Sequence, residues 1–123
     1  MWYTNDSGIT TLRPYLYYYD MPDDCGDNPG SVYPASGSIE KGKWYTIEMY
    51  AKSNLSENKD GHIKIAINGT VVLDSSIRWT NKNSKRLINR LAFSTFRGGS
   101  QTHWMVDEDT YIYLDNLKVE RIY

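Results

Sequence analysis

Apolar and polar residues alternate along several short stretches of this chain, a pattern typical of β-strands that bury one face. The pattern predicts strands at residues 12–19 and 44–52, and isoleucines at every second position predict another at residues 63–67. Asn68-Gly69 then predicts a tight hairpin, because both residues accept a positive φ, with a return strand at residues 71–73. The middle of the chain is therefore predicted to form an antiparallel sheet.

The rest of the chain continues the same pattern. Residues 87–96 and 110–122 are predicted as the last two strands, with Asp115-Asn116 marking a bulge. Residues 21–38 contain three prolines and several acids, which predict a long loop. Six or seven short strands without a convincing helical period predict an all-β fold, an antiparallel sandwich or barrel.

The predicted strands have one aliphatic face and one face that carries tyrosine, tryptophan, arginine, lysine and glutamate. Aromatic residues make up 14% of the chain, and 11 of them are tyrosines. Tyrosine combines a flat apolar ring with a hydroxyl, which suits sugar ligands, but it is also a common strand residue. The aromatic residues favour a binding groove on the polar face, whereas the plainer alternative is a solvated face of an antiparallel sheet.

Charge and cysteine content exclude several functions. The net charge of −1 gives no electrostatic support for binding nucleic acid or an anionic membrane. We find no apolar run of membrane-spanning length and no signal-peptide pattern. The single cysteine, Cys25, allows no internal disulfide, and the neighbouring acids disfavour its thiolate. Three N-glycosylation sequons begin at Asn5, Asn54 and Asn68, all at predicted loops or turns, and they permit a secretory origin.

The most specific string in the chain is L-A-F-S-T-F-R-G-G-S-Q-T-H-W at residues 91–104. It resembles the F-[SN]-T-F-x-G-G signature of a family of jelly-roll polysaccharide lyases, the alginate and glucuronan lyase-like group. Other similar blocks, in chain order, are Met1-Trp2 followed by Tyr15-Leu16-Tyr17, then residues 42–48, Asp60-Gly61, residues 67–69 and residues 113–119. The resemblance implies an antiparallel β-sandwich of jelly-roll type, with residues 1–123 forming one domain or its C-terminal part. It also implies a secreted protein that acts on an acidic polysaccharide.

Lyases of this kind cleave uronic-acid polymers by β-elimination, which sets clear demands on the site. A cation or amide must neutralise the C6 carboxylate before the C5 proton becomes acidic enough to remove. A base then takes that proton, and an acid protonates the departing O4. The resemblance places a tyrosine pair for these roles at Tyr15 and Tyr17. Alternation predicts that the two lie on one face, about 6.6–7 Å apart along the strand. A tyrosine can take either role if a nearby cation lowers its pKa.

Several further residues are candidates for the site. Arg13 is two residues before the tyrosine pair, and we expect it to contact the uronate carboxylate in a bidentate manner. His103 is a further acid or base candidate, with a structural or surface histidine as the plainer alternative. The other substrate-binding candidates are Lys52 and Arg97 as cations and Trp44 and Tyr50 as stacking platforms.

No cofactor is required for this chemistry, and a structural calcium ion is the one metal that the sequence offers ligands for. Hard oxygen ligands are available at Asp107, Glu108, Asp109 and Asp115, although their spacing fits no EF-hand loop and solvated charge is the simpler explanation. His62 is expected at the surface, and we expect no histidine metal site. The acids of the long loop are likewise expected to be solvated; they are Asp20, Asp23, Asp24 and Asp27.

The resemblance also implies a catalytic lysine and a Ser-x-Arg pair upstream of the Met-Trp segment, which here is Met1-Trp2. We therefore expect a fragment, a sandwich completed by a homodimer or a second chain, or a binding module. An incomplete sandwich exposes strand edges, which favours association. The main hypothesis is a lyase-like domain that binds and cleaves a uronate-containing polysaccharide. The alternatives are a non-catalytic carbohydrate-binding or structural β-sandwich, and a self-assembling β protein with tyrosines at its interfaces.

Overall fold

The computed structural model describes residues 1–82, 88–92, 94–95 and 108–122. Within them the regular elements are all strands, which confirms the predicted all-β fold. The strands are β1 (Trp2–Thr4), β2 (Thr10–Leu12), β3 (Ile47–Lys52), β4 (Gly61–Ile67) and β5 (Thr70–Ile77). Strands β1 and β2 form one antiparallel ladder, and β3, β4 and β5 form an antiparallel sheet in that order. In the described part of the chain, no helix is long and apolar enough to cross a membrane.

The chain divides into two compact units, Met1–Ile88 and Asn89–Tyr123. The first unit contains all five strands. The predicted strands at residues 87–96 and 110–122 carry no strand pairing in their described residues. Alternation of apolar side chains defines a face, but a strand also needs a hydrogen-bonded neighbour, which the alternation does not supply.

The core of the first unit lies on one face of β4 and β5. The isoleucine row is buried as predicted, with Ile63, Ile65 and Ile67 only 1%, 6% and 3% exposed. Val72, Leu73 and Ile77 of β5 complete the buried cluster; Leu12, Leu16, Tyr18, Tyr33, Tyr45 and Trp79 pack against it. Over β4 and β5, the apolar face of this sheet is thus covered by side chains from other segments of the first unit.

The hairpin between β4 and β5 forms at the predicted turn. Asn68 and Gly69 have φ values of 48° and 77°, as a type I′ turn requires. Strand β5 continues to Ile77, four residues beyond the predicted end, because polar residues of its outer half still pair across the ladder. Lys64 lies opposite Asp74 in that half.

The predicted strand at residues 12–19 is interrupted. Strand β2 ends at Leu12, just before Pro14, whose nitrogen has no hydrogen to donate to a ladder. The chain rejoins a neighbour only at Leu16, which exchanges two backbone hydrogen bonds of 2.9 Å with Asp27. Since Leu16 and Tyr18 pack against the core, the alternating residues Tyr15 and Tyr17 lie on the outer side of this segment.

Strand β3 begins three residues later than predicted and forms one edge of its sheet. Its register places Ile47 and Met49 opposite Ile67 and Ile65, on the same face as the core. All six residues of β3 are nevertheless exposed, with Met49 at 65%. The turn anchors the start of this strand, because the Asn68 amide oxygen accepts a 2.8 Å hydrogen bond from the backbone nitrogen of Thr46.

Candidate active site

Tyr15 and Tyr17 form a pair of exposed phenols, at 37% and 59% exposure. Their rings meet edge to face with centroids 5.4 Å apart, and their hydroxyl oxygens are 3.1 Å apart. Both hydroxyls also contact the backbone carbonyl oxygen of Cys25, at 3.2 Å for Tyr17. The two hydroxyls therefore lie side by side at the surface. The three contacts, between the two hydroxyls and from each hydroxyl to the carbonyl, share only two hydroxyl hydrogens, so the three groups form a single hydrogen-bonded network.

The loop residues that follow Cys25 hold this network in place. Gly26 has a φ of 84° and lies directly against the Tyr15 ring. Asp27 pairs with the backbone of Leu16, the residue between the two tyrosines. Its carboxylate also accepts a 2.6 Å hydrogen bond from the Tyr18 hydroxyl. The loop therefore contacts three residues of the segment that carries the tyrosine pair, which are Tyr15, Leu16 and Tyr18.

The network changes the acidity of Tyr15. The hydrogen bond with Tyr17 is the main cause that raises the pKa of Tyr15, followed by desolvation and by charge repulsion from Tyr17 and Cys25. This direction is opposite to the lowered pKa that we expected from a neighbouring cation. A raised pKa keeps the phenol protonated, which suits a proton donor better than a base.

The side chain of Arg13 points to a different part of the surface. Its guanidinium lies over the ring of Tyr3, 3.9 Å from the ring centroid, which is a cation–π contact. Its Nε donates a weak 3.5 Å hydrogen bond to the hydroxyl of Thr11. These contacts hold Arg13 against the β1–β2 ladder.

Two other candidates, Tyr50 and Lys52, lie on the polar face of the β3–β4–β5 sheet. Register places them opposite Lys64 and His62, which alternate with the buried isoleucines of β4. This face is opposite to the one that carries the core, whereas the tyrosine pair lies outside the segment that covers the core. The core therefore separates these two groups of candidates. Trp44 precedes β3 and is 66% exposed.

The polar face contains a charged cluster that the sequence did not indicate as a site. Asp74 lies 2.7 Å from Nε2 of His62 and 3.2 Å from Nζ of Lys64. Lys64 in the first place, and His62 after it, lower the pKa of the Asp74 carboxyl. The His62 ring lies 5.9 Å from that of Tyr50. The hairpin register was the signal for this cluster, because it brings Asp74 level with Lys64.

The acids of the long loop are not merely solvated, and that expectation is wrong for two of them. Asp27 accepts the Tyr18 hydroxyl, and Asp20 forms an ion pair with Arg78. The Arg78 guanidinium also lies 4.6 Å from the centroid of the Tyr19 ring. The hydrogen bonds from Arg78 lower the pKa of the Asp20 carboxyl. The contacts between Asp20 and Arg78 join the start of the loop to the end of β5, 58 residues later in the chain.

Some predicted residues lie outside the described part of the chain. These are Arg97, His103 and Asp107. Among the described residues, no group of three or more histidine, cysteine, aspartate or glutamate side chains could hold a metal ion. Glu108, Asp109 and Asp115 thus form no such group with other described residues.

The Tyr18–Asp27 hydrogen bond predicts a stability change at high pH. It is the main cause that raises the pKa of Tyr18 from 10.0 to about 12. Its contribution to the free energy of unfolding is fully present below pH 10 and is lost as the pH rises to about 12. We expect Tyr18→Phe to be less stable than the wild type at pH 7. It should also lose less stability than the wild type as the pH rises from 10 to about 12. Urea unfolding at several pH values measures this, with Tyr111→Phe, whose side chain is 78% exposed, as the control. Equal slopes for Tyr18→Phe and the wild type would contradict it.

An exposed pair of hydrogen-bonded tyrosines thus belongs to a unit built on antiparallel strands. The chain belongs to the polysaccharide lyase 14 family, whose sequence profile matches residues 24–117. Its β-sheet structure is similar to that of alginate lyase Aly36B, with a TM-score of 0.80 and 51% sequence identity. The match covers 84% of this chain and 42% of that chain.

Two further relatives set the extent of the similarity. A doubly substituted variant of Aly36B, in complex with alginate tetrasaccharide, matches with a TM-score of 0.80 and 50% identity over 84% of this chain and 42% of its own. Exolysin of Paramecium bursaria Chlorella virus 1 is 26% identical over an alignment 123 residues long, gaps included. The alignment covers 89% of this chain and 18% of exolysin. The chain thus spans less than half the length of these alginate lyase structures and under a fifth of exolysin.

Proposed function

We propose that this chain is part of a secreted alginate lyase-like domain that binds an acidic polysaccharide and takes part in its cleavage by β-elimination. In this proposal Tyr15 and Tyr17 are the acid and base residues that act around one uronate unit. The observation that carries it is the contact between their two exposed hydroxyls, 3.1 Å apart. Coupled hydroxyls at one exposed point can exchange protons with the same bound sugar.

The sugar-bound relatives support the role of Tyr15. Two variants of Aly36B were solved with alginate oligosaccharides; one lacks a lysine and a methionine, the other the same lysine and a tyrosine. That methionine and tyrosine stand fourteen positions apart in the enzyme, as Met1 and Tyr15 do here. At 51% identity, this equal spacing supports a match between Tyr15 and the tyrosine that was replaced in the sugar-bound enzyme.

The same comparison indicates that the proposed site also needs a lysine from another segment. The lysine stands 28 positions before the methionine in Aly36B, which puts its counterpart outside residues 1–123. The proposed division of roles therefore assigns the tyrosine pair to this chain and the lysine to another segment. Of the cations of the predicted site, Lys52 lies across the core from the tyrosine pair and Arg13 is held over the ring of Tyr3. Neutralisation of the uronate carboxylate is therefore proposed for Arg97, in the family block, or for the segment that supplies the lysine.

An elimination assay with two phenol deletions tests this proposal. We expect residues 1–123, together with the segment that supplies the lysine, to release unsaturated uronate from alginate or glucuronan, followed by ultraviolet absorbance. Tyr15→Phe and Tyr17→Phe each remove one hydroxyl and keep the ring, and each should lower kcat by about 100-fold or more, the usual contribution of an acid or base. Tyr111→Phe removes an exposed hydroxyl in the other compact unit and should leave kcat unchanged.

Two results would contradict the proposal. Full activity of Tyr17→Phe would exclude the acid and base assignment of the pair. Oligosaccharide binding by calorimetry without product from either polymer would exclude cleavage by this chain and favour the second candidate.

The second candidate is a non-catalytic carbohydrate-binding module. It is favoured by the environment of Tyr15, because the groups that shift its pKa all raise it and none of them is a cation. It is also favoured by the position of Arg13 over the ring of Tyr3. In this case the tyrosine rings bind sugar faces, and the Phe variants keep their affinity because they retain the rings.

A further inference from the structure

The loop of Cys25, Gly26 and Asp27 contacts the tyrosine pair through backbone atoms and not through side chains that could take part in catalysis. Cys25 contributes only a backbone carbonyl, which both hydroxyls contact. Asp27 contributes two backbone hydrogen bonds to Leu16 and a carboxylate contact to Tyr18. Gly26, between them, contributes no side chain at all. We call these three residues the clamp loop.

The absence of a side chain at Gly26 is a requirement of the geometry. A β-carbon at this position would lie 2.7 Å from both Cζ and the hydroxyl oxygen of Tyr15, and 3.0 Å from Cε2. Carbon atoms in van der Waals contact are about 3.5–4.0 Å apart, so any other residue would displace the hydroxyl end of the ring. The φ of 84° also lies in the region that glycine occupies without strain.

The carbonyl of Cys25 complements this contact. A carbonyl oxygen can only accept hydrogen bonds, so a hydroxyl that faces it must keep its proton. A phenolate in the same place would bring two electron-rich oxygens together. The carbonyl thus accepts from the hydroxyls that face it, and the contact between the rings holds both near it.

We propose that the clamp loop is the positioning device of the tyrosine pair, in which Gly26 admits the Tyr15 ring and the Cys25 carbonyl holds both hydroxyls together at one place. Gly26 is then a positioning residue, because it acts on the sugar only through Tyr15. The catalytic consequence rests on the proposed function, whereas the position of the pair and the raised pKa of Tyr15 do not.

A substitution at Gly26 would displace a part of Tyr15 that is free to move. The atoms that a β-carbon would displace are at the free end of a side chain that is 37% exposed. The ring can therefore swing outward at little cost in folding free energy, but its hydroxyl then leaves Cys25 and Tyr17. Gly26→Ala should accordingly change the site much more than it changes stability.

Gly37 provides a matched control. It has a φ of 75°, and a β-carbon there would meet no atom within 4 Å. Gly26→Ala and Gly37→Ala thus impose the same type of backbone strain, that of a left-handed non-glycine residue. Any difference between the two variants reports the contact with Tyr15.

The experiment follows the tyrosines directly, by NMR of protein labelled with ¹³C at tyrosine Cζ, with Tyr15→Phe and Tyr17→Phe used to assign the two signals. In the wild type, Tyr15 should titrate above its ordinary pKa, because Tyr17 and desolvation raise it. In Gly26→Ala the midpoint should move down towards the ordinary value, and both signals should shift at neutral pH. Gly37→Ala should match the wild type. If elimination is measurable, Gly26→Ala should lower kcat by about tenfold or more, since the geometry of the acid sets its efficiency, with little change in KM.

The possible outcomes separate the two proposals. A changed Tyr15 titration without elimination by any variant supports the clamp loop and rejects the lyase function. Elimination that depends on Tyr15, together with a Tyr15 titration that Gly26→Ala leaves unchanged, rejects the clamp loop and keeps the lyase function. Failure of Gly26→Ala to fold while Gly37→Ala folds would also reject the clamp loop as described, because the ring would then not be free to swing.

Discussion

Gly30→Ala is expected to lower the free energy of unfolding by about 3 kcal/mol or more, the sum of a left-handed backbone penalty and overpacking. Gly30 has a φ of 87°, and a β-carbon there would lie 2.2 Å from the backbone carbonyl oxygen of Val72. It would also lie 3.3 Å from two side-chain atoms of Leu73. Unlike the Tyr15 ring beside Gly26, these atoms belong to a strand that cannot move without breaking its ladder.

The irregularity in β5 explains why the loop comes so close. Ile65 pairs with Leu73 and Ala66 with Val71, so Val72 is an extra residue in the ladder. Its carbonyl is free to accept a 2.8 Å hydrogen bond from the backbone nitrogen of Ser31. Gly30→Ala would push the loop away from this bond and from the buried core beneath it.

Urea unfolding followed by circular dichroism measures this effect. Gly8→Ala is the matched control, because Gly8 has a φ of 77° and open space around it. It should lose only the backbone penalty, about 1–2 kcal/mol. Similar losses in the two variants would show that the close approach of Gly30 to β5 does not contribute to stability.

Asn54→Ala is expected to have an effect of similar size, for a different reason. Asn54 is fully buried, and its amide group fills all four of its hydrogen-bonding positions. Its nitrogen donates to the carbonyl oxygens of Ser56 and Thr80, both at 2.8 Å. Its oxygen accepts from the backbone nitrogens of Trp79, at 2.9 Å, and Thr80, at 3.3 Å. One side chain thus joins the loop after β3 to the segment after β5.

Removal of this amide leaves four backbone groups without their partner. An unsatisfied buried group costs about 1–3 kcal/mol, and water that enters the space of the lost amide offsets part of the sum. We therefore expect a loss of about 3–5 kcal/mol from the free energy of unfolding, measured by urea denaturation. Asn54→Asp should be no better at neutral pH, because a carboxylate would face the two carbonyls that the amide nitrogen now serves.

Asn58→Ala is the control for the Asn54 substitution. Asn58 is exposed and lies four residues further along the same loop. Its replacement should change the free energy of unfolding by less than about 0.5 kcal/mol, as is usual for surface positions. A loss at Asn54 no larger than at Asn58 would show that the buried network contributes nothing.

The parts of the fold that were predictable are those whose signal is local in sequence. Alternating isoleucines and Asn68-Gly69 indicate β4 and its turn, because side-chain period and turn conformation depend on adjacent residues. The outer half of β5 was missed because its polar residues face solvent and carry no apolar alternation. The strand predicted at residues 12–19 is shorter in the structure because Pro14 has no backbone hydrogen to donate, which outweighs the alternation around it.

The candidate site was predictable only in its residue types. The order of family blocks pointed to Tyr15 and Tyr17, but nothing in the sequence joins them to the clamp loop, which follows eight to twelve positions later. The contact of Gly26 with a ring depends on how the loop folds back, as does the ion pair between Asp20 and Arg78. Such contacts across the chain are set by tertiary packing, which local patterns do not encode.

Complete burial of Asn54 has a consequence for the sequon Asn54-Leu55-Ser56. N-glycosylation would replace one hydrogen of the amide nitrogen with a sugar, and both hydrogens are used in the folded chain. Only a chain that has not yet folded exposes this nitrogen to a glycosyltransferase. In a host that glycosylates secreted proteins, modification at Asn54 therefore competes with folding. A chain that is modified there cannot form this loop.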